Sequence, residues 1–308
     1  MTELYIQTPQ IDSLPLSKIL GIPVYLKMEA LQPSGSFKNR GVGHMCVHYA
    51  EQGTRCFVSS SGGNAGLAVA YAGRKLGIPV KVVVPSTTPS LAKEKIAAEG
   101  AEVIVHGQAW DDAHILAKKL ASENHAAYIP PFDHPLIWAG NSTIVYEIFG
   151  SGIKPDAILL SVGGGGLLCG VLQGLHAVGW DDVTVITAET EGAASFAASM
   201  FADKLVTLDK IDTIATTLGA KRVAEEAFLW TKKHPIIPQI VTDRTAVNAC
   251  CKFADDHRVL VEPACGASLA LAYQGLPVLK TYQSLLIIVC GGSGVNREML
   301  KHWDETIQ

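Results

Sequence analysis

Charge and aromatic side chains are scarce in this chain, and basic residues form no run. Only 18% of its 308 residues are charged and 7% are aromatic, and the formal net charge at pH 7 is −4. Without a basic patch there is no electrostatic footprint for nucleic acid or for an anionic membrane surface. The expected partner is therefore a small molecule, and neither nucleic acid nor a membrane.

Paired cysteines and targeting signals are also missing. The cysteines form neither a C-x-x-C pair nor the Cys/His spacing of a zinc site. We interpret them as free thiols of a reducing compartment. The N-terminal segment MTELYIQTPQ carries Glu3 and has no apolar core, which disfavours a secretory signal. Together these absences predict a cytoplasmic location. The seven cysteines are Cys46, Cys56, Cys169, Cys250, Cys251, Cys265 and Cys290.

The long uncharged run at residues 157–180 does not predict a transmembrane helix. Four consecutive glycines interrupt it, as do Gln173 and His176. A membrane span needs about 20 mainly apolar residues in one helix. We therefore assign this run to the folded core.

Aliphatic side chains and glycine are abundant: 48% of the residues are hydrophobic and 29 residues are glycine. Continuous apolar runs suit parallel strands that are buried on both faces. Such runs predict strands at residues 56–59, 80–84, 102–105, 157–162, 183–188 and 285–289. Segments of helical period predict helices at residues 65–76, 90–99, 111–123 and 167–178, and glycines 77, 100 and 179 close three of them. The predicted fold class is α/β, with two domains, each an open, mostly parallel twisted sheet with helices on both faces.

A cluster of prolines, Pro130, Pro131 and Pro135, predicts a change of chain direction. We place a domain crossing there. The predicted small, substrate-side domain is residues 33–132, and the predicted large, cofactor-binding domain is residues 1–32 and 133–308. A ligand that touches motifs of both domains would bind in the cleft between them, which is a favoured kind of binding site.

One lysine stands in a distinctive setting in residues 33–41, PSGSFKNRG. Lys38 follows a turn rich in Gly and Ser, and Phe37 directly precedes it. This setting predicts a desolvated amine, and burial of an amine lowers its pKa and makes it available as a nucleophile toward a carbonyl. That is the chemistry of a Schiff base. Taken alone, the nine residues suit a solvated lysine before a helix at least as well.

Residues 59–66, SSSGGNAG, follow a predicted strand and open a predicted helix. Backbone N–H groups at a helix N-terminus favour an anion. Ser61 and Asn64 add side-chain hydrogen bonds that suit a substrate carboxylate and a ring hydroxyl. Taken alone, the segment is better explained as a tight turn with a helix cap.

Residues 163–166 are four glycines between the run ILLSV and the helical segment LLCGVLQGL. Four backbone amides at a helix start form a nest that fits a phosphate dianion. The turn is not a dinucleotide fingerprint, because Leu168 and Cys169 occupy the third glycine position, and no G-x-x-x-x-G-K-[ST] occurs. An isolated phosphate is the remaining interpretation.

Residues 290–294, CGGSG, end the apolar run SLLIIV, at the carboxyl end of a predicted strand. Open α/β sheets bind ligands at that end. Alone, Cys290 is explained as a buried small residue. A Schiff-base lysine, a phosphate nest, a carboxylate-binding turn and a neutral hydrogen-bonding group at a strand end are together what pyridoxal phosphate requires.

Seven motifs extend over nearly the whole chain: PSGSFKNRG, SSGGNAG, VVVPSTTP, IPPFDHPLIW, LSVGGGGLLCGV, VEPACGA and IVCGGS. Through them the chain resembles the serine/threonine dehydratases of the pyridoxal-phosphate-dependent β-family, or fold type II. Within that family it is most similar to the cytosolic L-serine dehydratase group with its serine dehydratase-like members.

The resemblance implies a role for each matching residue. Lys38 would carry the Schiff base, Phe37 would pack on the cofactor ring, and Cys290 would face the pyridine nitrogen. The implied catalytic residues are Lys38 and Ser61. The implied residues for pyridoxal 5′-phosphate are Phe37, Lys38, Asn64, Gly163, Gly164, Gly165, Gly166, Leu167, Thr217 and Cys290. The implied substrate-binding residues are Ser61, Gly62, Asn64 and Ala65. A monovalent cation such as K⁺ would bind at Gly163, Glu189, Ala193, Leu218 and Ala220.

Two positions depart from the family pattern. Some members have Ala at the position of Gly62, and Ala or Ser is familiar at the position of Thr217. We expect the missing Cβ at Gly62 to enlarge the space beside the substrate Cα and to loosen its clamp.

The implied activity is a β-elimination in a homodimeric ammonia-lyase. L-Serine would give pyruvate and ammonia, and L-threonine would give 2-oxobutyrate and ammonia. One alternative on the same scaffold is a β-replacement enzyme or a serine racemase, which needs a second acid/base on the opposite face of the cofactor, where Ser61 is the candidate. Another alternative is a ligand-binding homologue with weak activity.

Overall fold

The computed structural model of the protein describes residues 3–123 and 126–307. The strands are β1 (Gln10–Asp12), β2 (Val24–Lys27), β3 (Phe57–Ser59), β4 (Val80–Val84), β5 (Glu102–Val105), β6 (Ala127–Tyr128), β7 (Ala157–Ser161), β8 (Thr184–Thr190), β9 (Ile236–Val241) and β10 (Leu285–Ile288). The α-helices are α1 (Leu14–Leu20), α2 (Lys38–Glu51), α3 (Asn64–Leu76), α4 (Ser90–Ala98), α5 (Trp110–Glu123), α6 (Pro135–Gly150), α7 (Gly166–Ala177), α8 (Ser195–Phe201), α9 (Glu225–Trp230), α10 (Asp243–His257), α11 (Pro263–Tyr273) and α12 (Arg297–Thr306). Short 3-10 helices occur at Glu29–Leu31, Glu191–Ala193, Thr216–Leu218 and Pro277–Thr281.

The chain divides into two compact units. Unit 1 comprises Met1–Ile6 and Gln32–Asn141, and unit 2 comprises Gln7–Leu31 and Ser142–Gln308. These boundaries differ from the predicted ones at both crossings: residues 3–6 and Gln32 belong to unit 1, and the second crossing lies inside α6, nine residues beyond the predicted start at residue 133.

Local contacts explain both differences. Leu4 packs in the core of unit 1, and the Gln32 side-chain amide exchanges two hydrogen bonds with the Ile6 backbone, at 3.0 and 2.9 Å. The first turns of α6 pack on α2, where the Gly41 N–H donates to Asn141 Oδ1 at 3.1 Å. These contacts couple both segments to unit 1, whereas the proline cluster marks only the start of α6.

Unit 1 is built on a four-stranded parallel sheet of order β5-β4-β3-β6. Successive strand residues point to opposite faces, so Phe57 packs with α2 and α3 while Val58 packs with α5. On α5 the residues that face the sheet are Ala113, Ala117 and Ala121, spaced one helical turn apart. A fully buried valine such as Val58 contributes roughly 1.5–3 kcal/mol to folding. Helices therefore cover both faces of this sheet.

Unit 2 is built on a six-stranded sheet of order β1-β2-β10-β7-β8-β9. β1 is antiparallel to β2, and the other neighbouring pairs are parallel. All residues of β7 and β10 are buried, as expected of central strands covered on both faces. The predicted α/β class with two mostly parallel sheets is confirmed.

The predicted elements agree with the observed ones to within two residues at each end. The strands β1, β2, β6 and β9 were not predicted, and β1, β6 and β9 lie at sheet edges. β9 contains Pro238, which lacks a backbone donor and is tolerated at a sheet edge. The uncharged run 157–180 divides into β7 and α7. Among residues 3–123 and 126–307, no helix is both long enough and apolar enough to cross a membrane.

Candidate active site

The residues predicted for catalysis in unit 1 lie at one edge of its sheet. β3 and β6 are neighbouring parallel strands, with Phe57 opposite Ala127 and Val58 opposite Tyr128. Their carboxyl ends therefore meet at the same edge, the one where open α/β sheets bind ligands. The turn at residues 59–66 follows β3, and Pro131 follows β6.

Lys38 is the first residue of α2, and a hydrogen bond orients its amine. Lys38 Nζ donates to the carbonyl oxygen of Pro131 at 2.6 Å. The same nitrogen lies 5.0 Å from the centroid of the Phe37 ring, within cation–π range. The sequence predicted a desolvated lysine, but the side chain is partly exposed. Pro131 and Phe37 thus hold the amine at the sheet edge.

The turn at residues 59–66 folds tightly and ends in a helix. Ser61 Oγ accepts a hydrogen bond from the Gly63 N–H at 3.4 Å. A Cβ on Gly66 would lie 1.8 Å from the Ser61 carbonyl oxygen, so only glycine permits this closure. Asn64 and Ala65 are buried and begin α3. The structure therefore brings Ser61, Asn64 and the N–H of Ala65 together at a helix N-terminus, where backbone N–H groups favour an anion.

Gly62 corrects an expectation drawn from the sequence. A Cβ built on Gly62 would lie 2.7 Å from Thr88 Cγ2 and 3.3 Å from Val84 Cγ1. Its missing methyl group therefore points toward the segment after β4. Side chains of the protein already occupy that place, so the missing Cβ does not create the open space that was expected.

In unit 2 the four glycines form a closely packed turn between β7 and α7. Gly165 has φ of +90°, and a Cβ there would lie 2.7 Å from Ala227 Cβ. The carbonyl oxygen of Gly164 accepts a hydrogen bond from the Ala224 N–H at 3.0 Å. Leu167 is buried in the first turn of α7. Bare backbone is thus required here for packing, and the amides of residues 163–166 lie at the start of a 12-residue helix.

Cys290 lies beside the glycine turn in the sheet order. It follows β10, whose parallel neighbour is β7, so the loops after both strands emerge at the same edge. A hydrogen bond with Cys265, burial and the nearby carboxylate of Glu262 raise the pKa of the Cys290 thiol well above its usual value. The thiol is therefore protonated at neutral pH and is a neutral hydrogen-bond donor.

Thr217 and Cys290 share a neighbour that the sequence analysis missed. Thr217 Oγ1 donates to Glu262 Oε1 at 2.5 Å. Glu262 is 5% exposed, and a Cβ on Gly292 would lie 2.1 Å from Glu262 Cδ. The carboxylate is therefore packed between Thr217 and the CGGSG loop. Its position in the motif VEPACGA was the available signal.

Glu189 is a buried carboxylate at the end of β8. Its Oε1 accepts a hydrogen bond from the Phe196 N–H at 2.9 Å, and its Oε2 accepts one from the Ala197 N–H at 2.7 Å. Burial raises the pKa of Glu189 to about 7 although both hydrogen bonds lower it. The hydroxyl of the adjoining Ser195 is buried without a hydrogen-bond partner. A carboxylate and a hydroxyl are oxygen ligands of the kind that a hard cation prefers.

The other predicted cation ligands lie at the same edge. Ala193 ends the 3-10 helix that follows β8, the neighbour of β7. A Cβ on Gly163 would lie 3.1 Å from the Leu218 Cα, and the Leu218 carbonyl accepts from the Ala220 N–H at 2.7 Å. The described ranges contain no group of three His, Cys, Asp or Glu side chains that could hold a metal. Carbonyl and hydroxyl oxygens would therefore supply most of the ligands.

The family described as pyridoxal-phosphate dependent enzyme matches residues 1–291 of the chain. This chain belongs to the pyridoxal-phosphate-dependent enzymes. The family resemblance predicted from the seven motifs is confirmed, and so is the expectation of a pyridoxal phosphate cofactor.

Within this pyridoxal-phosphate-dependent family, two human proteins are similar over nearly the full chain. L-serine dehydratase/L-threonine deaminase is 52% identical over 314 residues, covering 99% of this chain and 96% of the relative. The human protein called serine dehydratase-like is 46% identical over 308 residues, covering 96% of this chain and 93% of the relative.

Two solved structures differ in how well they match. The L-serine ammonia-lyase from Rhizomucor miehei has a TM-score of 0.95 and 39% identity, and the match covers 100% of both chains. Maize serine racemase has a TM-score of 0.89 and 26% identity, covering 99% of this chain and 94% of its own. The ammonia-lyase is thus the nearer of the two in both sequence and fold.

The residues of this chain fit pyridoxal phosphate in two respects that the structure shows directly. The turn at residues 163–166 leaves bare backbone where a side chain at Gly163 or Gly165 would meet protein atoms. The Cys290 thiol is a buried neutral donor at the adjacent strand end. Pro131, Glu262 and Ser195 are the additions that the structure makes to the predicted set.

Proposed function

We propose that this protein is a pyridoxal-phosphate-dependent ammonia-lyase that converts L-serine to pyruvate and ammonia, and L-threonine to 2-oxobutyrate and ammonia. The observation that carries the proposal is the meeting of two features at one edge of the unit 1 sheet. One is the oriented amine of Lys38, and the other is the anion-binding turn with Ser61 and Asn64. The human relatives named as serine dehydratases support the choice of substrate.

The cofactor would be held by the residues predicted for it. Lys38 would bind it covalently through its amine, Phe37 would pack on its ring, and Asn64 would bond its hydroxyl. The amides of residues 163–166 and Leu167 would hold the phosphate, with Thr217 beside the ring. When bound, pyridoxal phosphate supplies a conjugated ring that withdraws electrons from the substrate Cα.

The substrate carboxylate would be bound at the turn. Ser61 and Asn64 offer side-chain donors, and Gly62 and Ala65 offer backbone N–H groups near the start of α3. The Lys38 amine, freed when the substrate amine takes its place on the cofactor, would accept the proton from the substrate Cα as a general base at the same edge. Fixing the carboxylate and the base on one sheet edge supplies the orientation that makes proton transfer fast.

The reaction balances without an external oxidant or reductant. Lys38 takes the Cα proton, and the β-hydroxyl leaves with a proton as water. The resulting enamine takes up one water during hydrolysis and gives the keto acid and ammonia. L-Serine is thereby converted to pyruvate and ammonia with no net change in water.

Cys290 favours elimination over transamination. Because its thiol is protonated and neutral, it would offer a hydrogen bond to a pyridine nitrogen and would not stabilise a pyridinium as a carboxylate would. A pyridine ring that is not protonated would withdraw electrons less strongly than a pyridinium, which would favour prompt loss of the β-hydroxyl.

A monovalent cation such as K⁺ would be bound by Glu189 and by the backbone at Gly163, Ala193, Leu218 and Ala220. The buried hydroxyl of Ser195, which has no hydrogen-bond partner, would join this set. The cation would neutralise the buried Glu189 carboxylate and would fix the strand ends beside the glycine turn. We further propose that the protein acts in the cytoplasm as a homodimer, as the serine/threonine dehydratase resemblance implies.

Racemisation is less well supported. It needs a second acid/base group in the turn, and Gly62 has no side chain, so Ser61 is the candidate. The Ser61 oxygen is engaged by the Gly63 N–H. The solved serine racemase is also less similar to this chain than the solved ammonia-lyase.

The decisive experiment measures pyruvate formed from L-serine by purified protein loaded with pyridoxal phosphate, with Lys38→Ala as the inactive control. Chiral chromatography of the same reaction measures D-serine. Pyruvate without D-serine supports the proposal. D-Serine as the main product would identify a racemase, and neither product at full cofactor occupancy would identify a ligand-binding homologue.

A further inference from the structure

Tyr128 is the centre of a hydrogen-bonded trio in unit 1. Its hydroxyl lies 2.8 Å from Ser60 Oγ and 2.8 Å from His114 Nδ1, while Ser60 Oγ and His114 Nδ1 are 3.5 Å apart. Ser60 is fully buried. The His114 ring stacks on Trp110, with centroids 4.6 Å apart and planes 19° apart, so the imidazole is held in place.

The trio joins the two segments that carry the proposed chemistry. Ser60 directly precedes Ser61 in the turn after β3. Tyr128 ends β6, three residues before Pro131, whose carbonyl accepts from Lys38 Nζ. One hydroxyl therefore fastens the carboxylate-binding turn to the segment that orients the amine.

We propose that Tyr128 is a positioning residue for the β-elimination, and that the protonation state of His114 sets the direction of its hydrogen bonds. Tyr128 touches neither substrate nor cofactor in this assignment. It acts through Ser60 on the turn and through its own strand on Pro131. The inference rests on the proposed function, because it concerns the placement of the same Lys38 amine and the same turn.

The donors and acceptors of the trio allow two hydrogen-bond arrangements. With neutral His114 that is unprotonated at Nδ1, the Tyr128 hydroxyl donates to His114 and accepts from Ser60, so all three groups are satisfied. With protonated His114, Nδ1–H donates to Tyr128, Tyr128 must donate to Ser60, and the Ser60 proton loses its acceptor in the trio. Protonation of His114 therefore reverses the direction of the hydrogen bonds in the trio. It leaves the proton of the buried Ser60 hydroxyl, next to Ser61, without an acceptor in the trio.

The surroundings favour the first arrangement at neutral pH. Burial lowers the pKa of His114, Lys118 lowers it further, and Asp111 raises it, both charges lying on α5 with His114. Burial raises the pKa of Tyr128, so its hydroxyl keeps its proton. The first arrangement needs a protonated tyrosine and a neutral histidine whose proton is on Nε2, and burial favours these neutral charge states of both groups.

Tyr128→Phe removes the shared hydroxyl with little change of volume. The matched control is Tyr273→Phe in unit 2, which removes a partly buried tyrosine hydroxyl that donates to Asp256 Oδ2 at 2.8 Å. We expect Tyr128→Phe to raise KM for L-serine about tenfold while kcat changes less than about threefold, as loss of one buried hydrogen bond that orients the carboxylate turn implies. Tyr273→Phe should leave KM unchanged, even if both variants lose thermal stability.

His114→Asn tests whether the protonation of His114 sets the direction of the hydrogen bonds in the trio. Asn Oδ1 can replace Nδ1 as an acceptor for Tyr128, but it does not titrate. In the wild type, KM for L-serine should rise as pH falls through the His114 pKa. This rise of KM at low pH, the acid limb of the KM profile, should be absent in His114→Asn. At pH 8 the KM of the variant should stay within about threefold of the wild-type value.

The outcomes separate this inference from the proposed function. A wild type that makes no pyruvate overturns both. An active wild type overturns the inference alone if Tyr128→Phe and Tyr273→Phe change KM equally, or if the acid limb of KM is the same in His114→Asn as in the wild type. A rise in KM confined to Tyr128→Phe, together with a flattened acid limb in His114→Asn, supports it.

Discussion

A side chain on Gly62 would collide with Thr88. A Cβ at residue 62 would lie 2.7 Å from Thr88 Cγ2 and 2.9 Å from Thr88 Oγ1. Rotation about χ1 of Thr88 can relieve one of these contacts but not both, because threonine carries two heavy atoms on Cβ. Gly62 is not among the glycines with positive φ, so a steric contact and not backbone strain is the obstacle. Gly62 and Thr88 are thus complementary in size.

We predict that Gly62→Ala lowers kcat/KM for L-serine by about tenfold, the effect of about 1.4 kcal/mol of lost transition-state alignment. The methyl group pushes the turn that carries Ser61 away from its position. Steady-state kinetics with cofactor occupancy checked by absorbance provides the measurement. Thr88→Ala is the control and should be near wild type, and Gly62→Ala/Thr88→Ala should recover activity because the two contacting atoms are gone. A faster Gly62→Ala enzyme at full occupancy would contradict this reading.

We predict that borohydride reduction of the protein loaded with pyridoxal phosphate fixes the cofactor on Lys38. Lys38 lies at the sheet edge. The buried amine of Lys27, by contrast, donates hydrogen bonds to Glu147 Oε2 at 2.5 Å and to the Thr8 carbonyl oxygen at 2.7 Å. Peptide mapping by mass spectrometry identifies the labelled lysine. Lys38→Ala should lose the label and turnover together, while phosphate-dependent cofactor binding to the glycine turn is retained. A label on Lys27 or another lysine would refute the assignment.

We predict that Cys290→Ser keeps at least about a third of the wild-type kcat, because a hydroxyl is also a neutral donor to a pyridine nitrogen. Cys290→Asp should favour a protonated ring and increase transamination, measured as pyridoxamine phosphate formed per pyruvate. Cys46→Ser, which changes a fully buried thiol in unit 1, is the matched control for the loss of a core sulfur. Loss of turnover in Cys290→Ser with normal folding and cofactor content would show that the thiol has another role.

We predict that K⁺ stabilises the protein more at pH 8 than at pH 5. Burial raises the pKa of Glu189 from 4.5 to about 7, so the folded state binds more protons than the unfolded state in that window. Stability without the cation should therefore fall as pH rises from about 4.5 to 7. A cation bound to the ionised carboxylate offsets this loss.

The measurement is the thermal midpoint in KCl and in choline chloride of equal ionic strength. We expect the difference to grow through this pH range and to reach several degrees at pH 8. In Glu189→Gln, whose side chain does not ionise, the difference should be small and independent of pH. A K⁺ effect that is equal at both pH values in the wild type would rule out Glu189 as its origin.

Much of the fold could be predicted because local sequence carries it. Apolar runs such as residues 80–84 and 285–289 are typical of buried parallel strands. Glycines such as Gly77 and Gly179 end helices through their left-handed conformation. The edge strands β1, β6 and β9 were missed because an edge strand needs no continuous apolar run, and β9 also contains Pro238, which a sheet edge tolerates.

The sequence by itself determined the class of the fold, the glycine turns and the candidate lysine, since each depends on the properties of a few consecutive residues. Only the tertiary structure decided which side chains meet. Tyr128 reaches Ser60 across 68 residues, Thr217 reaches Glu262 across 45, and the missing Cβ of Gly62 faces Thr88. Such pairs depend on strand order and on the direction of each Cα–Cβ bond, which are fixed by packing of the whole unit and not by any local pattern.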